Sequence, residues 1–248
     1  MSDLSGKTTI VVGASRGLGH GVATAFAEAG AHVVAVSRTS GDFDEPIDGA
    51  GTIESVIADA GDASVPGDLL ERYKPTNIIL VAGEYPPIGP LHEQTWESFS
   101  VNWNSDVRIA FHWLRETLLR PLPPGSRVVV FSSGAALNGS PASGGYAGAK
   151  STQRFITGYA QEEAKRSGLD ITYTALLPRM TSSTDFGMHA ARAYAKYSGI
   201  TEEEQLRQMG EPLTPQTAGT AVVELVKADA ADVGAAYLLT AAGVKPLP

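Results

Sequence analysis

Cysteine is absent, which excludes disulfides, thiolate metal sites and cysteine nucleophiles together. The histidines His20, His32, His92, His112 and His189 are scattered without metal-ligand spacing, so no metal site is expected. Positive charge is scarce, 19 Lys and Arg against 27 Asp and Glu, and a net charge of −8 repels polyanions. Nucleic acid and anionic membrane surfaces are therefore not expected partners. No apolar run approaches the roughly 20 residues of a membrane helix. Met1 to Thr9 lacks the basic flank and apolar stretch of a secretion signal, so the expected location is cytoplasmic.

What is present is an ordinary globular balance, 43% hydrophobic and 19% charged residues, in a 248-residue chain near the upper limit for one core. Thr8 to Gly13 is a β-branched run ending in glycine, followed by apolar residues at Leu18, Val22 and Phe26 on one helical face. Gly30 marks the helix end, and His32 to Ser37 is a second apolar run, too continuous for a sheet with one wet face. Further strands are predicted at Thr52 to Ala58, Asn77 to Val81, Arg127 to Ser132, Asp170 to Leu177 and Ala236 to Thr240. Helical stretches lie between them at Gly67 to Tyr73, Phe99 to Leu119, Tyr146 to Ser167 and Thr217 to Lys227. The alternation predicts an α/β fold, a Rossmann-type doubly wound parallel sheet with helices on both faces, in one domain spanning residues 1–248. Thr39 to Gly51 is acidic and predicted to be an exposed loop. Ser182 to Pro215 is an excursion from the sheet able to cover a site, with a helix starting at Thr201, where Glu204 completes capping-box spacing.

Gly13-Ala14-Ser15-Arg16-Gly17-Leu18-Gly19 joins the first strand to the first helix, where free amides and the helix dipole favour a phosphate. The spacing is G-x-x-x-G-x-G, and its placement makes a dinucleotide site the leading reading, with the glycines admitting a pyrophosphate to the backbone. The same residues spell G-x-S-x-G, a nucleophile elbow that would make Ser15 a serine hydrolase nucleophile. That rival requires earlier strands, and only twelve residues precede Gly13. At the end of the second strand, Val36-Ser37-Arg38 lacks the carboxylate that an NAD ribose would want. Arg38 with Arg16 would instead pair with a 2′-phosphate, which selects NADP(H).

Tyr146 and Lys150 stand four residues apart, on one face of a helix. About 0.2 such pairs are expected by chance in a chain of this composition, so context must support the motif. Ser133, thirteen residues before Tyr146 at the end of a predicted strand, supplies that context. A phenol proton can meet the oxygen that gains charge as hydride reaches a carbonyl carbon, a serine can hydrogen-bond that oxygen, and a nearby lysine cation favours phenolate. The lysine is expected to lower the tyrosine pKa by about one to three units.

With these residues in place the sequence resembles the short-chain dehydrogenase/reductase family along essentially its whole length. The resemblance implies a catalytic set of Ser133, Tyr146 and Lys150 with Asn102, or Asn104 as the alternative, on the helix before the serine strand. It implies a cofactor site of Gly13, Ser15, Arg16, Gly17, Leu18, Gly19, Ser37, Arg38, Asp59, Ala82, Gly83, Pro178 and Thr181, together with Tyr146 and Lys150. Two departures stand out: the family's Asn-Ala-Gly appears as Val81-Ala82-Gly83, and its Pro-Gly as Pro178-Arg179. The excursion at 182–215 corresponds to the family's substrate loop, with Met188, His189 and Tyr194 as candidate lining residues. The implied activity is NADP(H)-dependent reduction of a ketone or aldehyde, or the reverse, on a small carbonyl or alcohol substrate. A silent NADP(H)-sensing protein of the same fold is the alternative. A homodimer or homotetramer is implied through the two long helices, where Trp113, Phe155 and Tyr159 would offer contact area or else fill the core.

Overall fold

The computed structural model describes residues 4–43 and 51–248. Eight strands form one sheet in the order β3-β2-β1-β4-β5-β6-β7-β8. The strands are β1 Thr8–Val12, β2 His32–Ser37, β3 Thr52–Ile57, β4 Asn77–Leu80, β5 Ser126–Phe131, β6 Ile171–Pro178, β7 Ala236–Thr240 and β8 Gly243–Leu247. All pairs are parallel except β7 with β8, whose antiparallel register runs from Ala236 opposite Leu247 to Thr240 opposite Gly243. Strand β8 extends the sheet beyond the strands expected from sequence. Lys245 and Pro246 in this edge strand suppress the apolar alternation by which strands are recognised.

The central strands are apolar throughout because both faces are covered. Along β1, Val11 joins the core beneath α1 Gly17–Glu28 and α9 Pro215–Lys227, which also holds Phe26, Val222 and Leu239. Its neighbours Ile10 and Val12 point the other way, into the core with Ile78, Val128, Trp113 and Tyr173, under α2 Ser64–Tyr73, α4 Arg108–Leu119 and α6 Tyr146–Arg166. This period-two division is what a doubly wound sheet requires.

The predicted helix Phe99 to Leu119 is three pieces: α3 Trp96–Asn102, a π-helical turn Trp103–Val107, and α4. The wide turn rotates the residues after it and puts Asp106 inside while Trp103 and Asn104 stay at the surface. A short α5 Ala135–Asn138 follows β5. The 182–215 excursion holds two helices. Thr184 caps α7 Asp185–Ser198 and Thr201 caps α8 Glu202–Met209 by accepting from the Glu204 amide at 3.1 Å. Of the acidic loop expected at 39–51, residues 44–50 lie outside the described residues. Its first residues are held against α1, where Phe43 stacks on His20 with ring centroids 4.7 Å apart.

Trp113 is 0% exposed and its indole N–H donates to the Ala60 carbonyl at 3.2 Å, so it belongs to the core and not to a subunit surface. Phe155 and Tyr159 on α6 are 60% and 59% exposed, as an interface role requires. Trp113→Ala removes the largest fully buried side chain and should cost about 3–5 kcal/mol of unfolding free energy in a denaturant titration. A loss below about 1 kcal/mol would show that the indole is not a core element.

Candidate active site

The carboxyl ends of the parallel strands open into one cavity of about 1060 Å3, which collects Ser15, Arg38, Asp59, Ser133, Tyr146 and Lys150 on its wall. The glycine turn forms one end. Gly13 has φ +89°, and an added Cβ would lie 2.5 Å from the Ala82 amide nitrogen, so the turn closes directly on the loop after β4. A Cβ at Gly19 would fall 2.1 Å from the Gly13 carbonyl oxygen. These two glycines therefore serve the packing of the turn itself, while Gly17 begins α1 at the open end. The residue before it, Arg16, places no side-chain acceptor on the first helical turn. The amide groups of that turn are left for an anion, and a dinucleotide pyrophosphate fits there.

Ser15 lines the same cavity, but no hydrogen bond joins its hydroxyl to a histidine among the described residues. The near histidine, His20, turns away and contacts the Asp42 carbonyl at 2.6 Å. The elbow reading of this turn thus lacks its general base.

At the rim, Arg38 Nη2 meets Glu84 Oε2 at 3.1 Å, and the Arg16 guanidinium lies 5.2 Å over the Tyr85 ring. Ser37 donates to the Thr39 carbonyl at 2.6 Å, and Asp59 accepts from the Gly61 amide at 2.9 Å. Tyr85 continues into an aromatic roof: it stacks on Phe186 at 5.1 Å and meets the His189 edge at 5.4 Å, while Phe186 lies 6.1 Å from Tyr146. Of the three excursion candidates, Tyr194 lines the cavity and bonds the Ser140 hydroxyl. His189 and Met188 are not on the cavity wall: His189 is exposed and meets Tyr85 from outside, and Met188 precedes it on α7. Thr181 is buried and donates to the Leu213 carbonyl at 2.8 Å, tying the start of the excursion to its end. Pro178 and Arg179 also border the cavity, Arg179 with an exposed side chain.

Ser133 stands just past β5, and its hydroxyl accepts from the Ala135 amide at 3.2 Å. Tyr146 is the first residue of α6 and Lys150 lies one turn on, its Nζ 5.5 Å from the phenol ring centroid. The lysine is 4% exposed. Its ammonium is 2.9 Å from Asp106 Oδ2, and Asp106 is itself 0% exposed. Burial pulls the Lys150 pKa down, but Asp106 and Tyr146 more than reverse this, and the net direction is upward. Burial pushes the Tyr146 phenol above its ordinary value of 10.0; Lys150 and Ser133 pull it back and Asp106 pushes it further up. The downward shift expected from Lys150 alone is therefore not the net result.

Asp106 was not among the sequence candidates. A single aspartate in a polar stretch carries no periodic signal, and only the π-helical turn brings it inward. Asn102 is buried behind the cavity wall, donating to the Glu84 carbonyl at 2.8 Å and to Asp106 Oδ1 at 3.3 Å. Asn104 is exposed and donates to the Ser100 hydroxyl at 3.2 Å.

Among known proteins, the profile described as short chain dehydrogenase matches residues 7–195. A hydroxynaphthalene reductase of Aspergillus fumigatus is 28% identical over 99% of this chain and 94% of its own. An L-xylulose reductase of Mesocricetus auratus is 32% identical over 42% of this chain, and the match spans less than half of that relative, 43%. An actinorhodin polyketide ketoreductase variant solved with NADPH superposes with TM-score 0.77 at 19% identity, covering 95% of this chain and 96% of the other, a likeness of fold. The profile match, the doubly wound sheet and the side chains gathered at its carboxyl edge agree, and the chain belongs to the short-chain dehydrogenase family.

Proposed function

We propose that this protein reduces a ketone or aldehyde with NADPH, Tyr146 giving the proton and Ser133 holding the carbonyl oxygen. The carrying observation is the convergence of Tyr146, Ser133 and Lys150 on the cavity that also receives the open end of α1 and both rim arginines. When bound, the nicotinamide supplies the hydride. The first turn of α1 cradles the pyrophosphate, and Asp59, on the same cavity wall, meets the adenine. The Ser133 hydroxyl donates to the carbonyl oxygen as charge builds there, and the phenol of Tyr146 delivers its proton to the same atom. Phe186 and Tyr85 roof this region and limit water. Flat aromatic ketones suit such a roof, and the similarity to a hydroxynaphthalene reductase makes them the first compounds to test.

The choice of NADPH rests on Arg38 and Arg16 and on the absence of a carboxylate at Ser37-Arg38-Thr39. The Arg38–Glu84 pair is solvent-exposed, 66% and 36%, and such pairs contribute about 0–1 kcal/mol, so a phosphate can replace the carboxylate at little cost. Assembly as a homodimer or homotetramer through α4 and α6 is supported by Phe111, Phe155 and Tyr159, 53%, 60% and 59% exposed on those helices.

Tyr146→Phe should lower carbonyl-dependent NADPH consumption about 100-fold or more while leaving NADPH binding intact. Tight binding with no turnover of any carbonyl by the wild type would assign the protein instead to cofactor sensing. Because the phenol pKa is raised, the proton is retained to higher pH. Reduction should therefore hold across neutral pH and fall only in the alkaline range, while alcohol oxidation rises there. A reduction rate already falling between about pH 6 and 8 would contradict this assignment of the proton donor. Glu84→Gln frees Arg38 and should tighten NADPH about two- to fivefold in a fluorescence titration, with NADH unchanged. An equal change for both nucleotides would show that Arg38 does not meet the 2′-phosphate.

A further inference from the structure

Five cationic side chains stand on the cavity wall, Arg16, Arg38, Arg108, Lys150 and Arg179, and four of them are engaged. Arg38 is paired with Glu84, Lys150 with Asp106, and Arg16 lies over the Tyr85 ring. Arg108 packs against Gly61, where a Cβ would fall 2.9 Å from its Nη2. The Arg179 side chain makes no hydrogen bond, ion pair or ring contact among the described residues. Its backbone, in contrast, is fixed. The Arg179 amide donates to the Leu239 carbonyl at 2.8 Å and the Gly134 amide donates to the Pro178 carbonyl at 2.9 Å, so the chain here is clamped between the end of β7 and the segment after β5. A Cβ on Gly134 would lie 3.8 Å from the Arg179 Cα, and Gly134 directly follows Ser133. A guanidinium on a long stem thus starts beside the serine that faces the reacting carbonyl, with donors to offer and no acceptor of its own.

We propose, resting on the reductase reading above, that Arg179 is a specificity-determining residue and that the substrate is a carbonyl compound carrying a carboxylate. Arg179 pairs with the carboxylate while Ser133 and Tyr146 meet the carbonyl oxygen. The planar fork of a guanidinium matches the two oxygens of a carboxylate. A placed cation is needed for such a substrate, because a net charge of −8 opposes the approach of an anion on average. The acidic groups on the wall leave Arg179 available. Glu84 is taken by Arg38 and Asp106 by Lys150, and Asp59 accepts from the Gly61 amide at 2.9 Å. Asp185 follows Thr184, whose Cγ2 lies 3.6 Å from the place of a Cβ on Gly17 at the glycine turn, and it forms no ion pair with Arg179 among the described residues. The phosphates of the cofactor are assigned to the first turn of α1 and to the rim arginines, which leaves Arg179 to the substrate. Its neighbours on the wall, Met180 and Leu238, are apolar, so a charge pair formed there is screened less than one in open water.

The test uses the ortho, meta and para acetylbenzoates, each beside its methyl ester, which keeps the ketone and removes the charge. With NADPH, the wild type should reduce at least one acid with kcat/KM about tenfold or more above that of its ester. Arg179→Met keeps the stem without the charge. It should bring that acid down to about the level of its ester, chiefly through KM, and leave ester turnover and the NADPH dissociation constant within about twofold of wild type. Arg179→Lys restores a cation without the fork and should recover part of the preference. Esters reduced as well as every acid by the wild type would overturn the proposal, as would an equal loss for acid and ester in Arg179→Met. A weakened NADPH affinity in that variant would overturn it too, by giving Arg179 to the cofactor. Calorimetric titration of the acids into NADP+-loaded protein separates this proposal from the reductase reading. Acid binding that Arg179→Met abolishes, with no turnover by the wild type, defeats the reductase reading and leaves the anion site standing. No acid binding defeats the anion site, whether or not the esters turn over.

Discussion

An ammonium buried at the carboxyl edge of a parallel sheet needs a negative charge close by, and here the need is met by Asp106. Much of the local architecture serves that one contact. The helix before β5 widens into a π turn, which swings Asp106 out of the solvent-facing row and under the sheet edge. The loop after β4 carries glycine at 83, where any side chain would push on the carboxylate, and directs the Glu84 amide at its other oxygen, Oδ1. The Glu84 side chain then continues outward to Arg38 at the rim. The Lys150 corner and the Arg38 rim are thus joined through one residue, by its backbone on one side and its carboxylate on the other.

The cavity lies where it does because of strand order. Moving outward from β1, the chain runs through β2 and β3 on one side and β4, β5 and β6 on the other, so the crossovers leave in opposite directions. Between the diverging loops a cleft opens beyond the carboxyl ends of β1 and β4. The close approach of Gly13 to Ala82 is the floor of that cleft, since the two loops meet there before separating. The first turn of α1 and the Ser133 corner then face one space because each follows the end of a strand in the same sheet. Their spacing is set by sheet geometry and owes little to the loops that roof the cavity.

Legibility in the sequence followed periodicity. Strands β2 and β7 begin and end where expected and β1 stops one residue short of Gly13, because burial on both faces keeps their interiors apolar. The single helix expected over 99–119 concealed the π turn, since apolar spacing either side of it fits one helix and the extra residue leaves no compositional mark. Helix α7 was read as irregular excursion because its buried residues are glycine and alanines, Gly187, Ala190, Ala191 and Ala195, which give only a faint apolar stripe. That Tyr146, Lys150 and Ser133 would meet on one wall could be read because they sit at fixed offsets along regular elements. The sign of the shift on Tyr146 could not, because it depends first on the burial of the phenol, which is a tertiary fact.

The same division separates chemistry from selectivity. Lys150 and Asp106 are held by α6 and the π turn, elements packed into the sheet core, with Ser133 just past β5; of this group Tyr146 alone meets the roof, through Phe186. The roof is attached at few points: Thr181 and Ser183 to the Leu213 carbonyl, Tyr194 to Ser140, and Phe186 to Tyr85. These join the excursion to itself or to a loop, and Phe186 also meets the Tyr146 ring at the start of α6, 6.1 Å between centroids; none joins it to the Lys150–Asp106 pair. A change in Phe186 or Tyr194 therefore alters the shape offered to substrate and leaves the counter-ion of the lysine in place. A change at Asp106 or Gly83 does the reverse, altering the charge beside the phenol while leaving the roof that a substrate meets first.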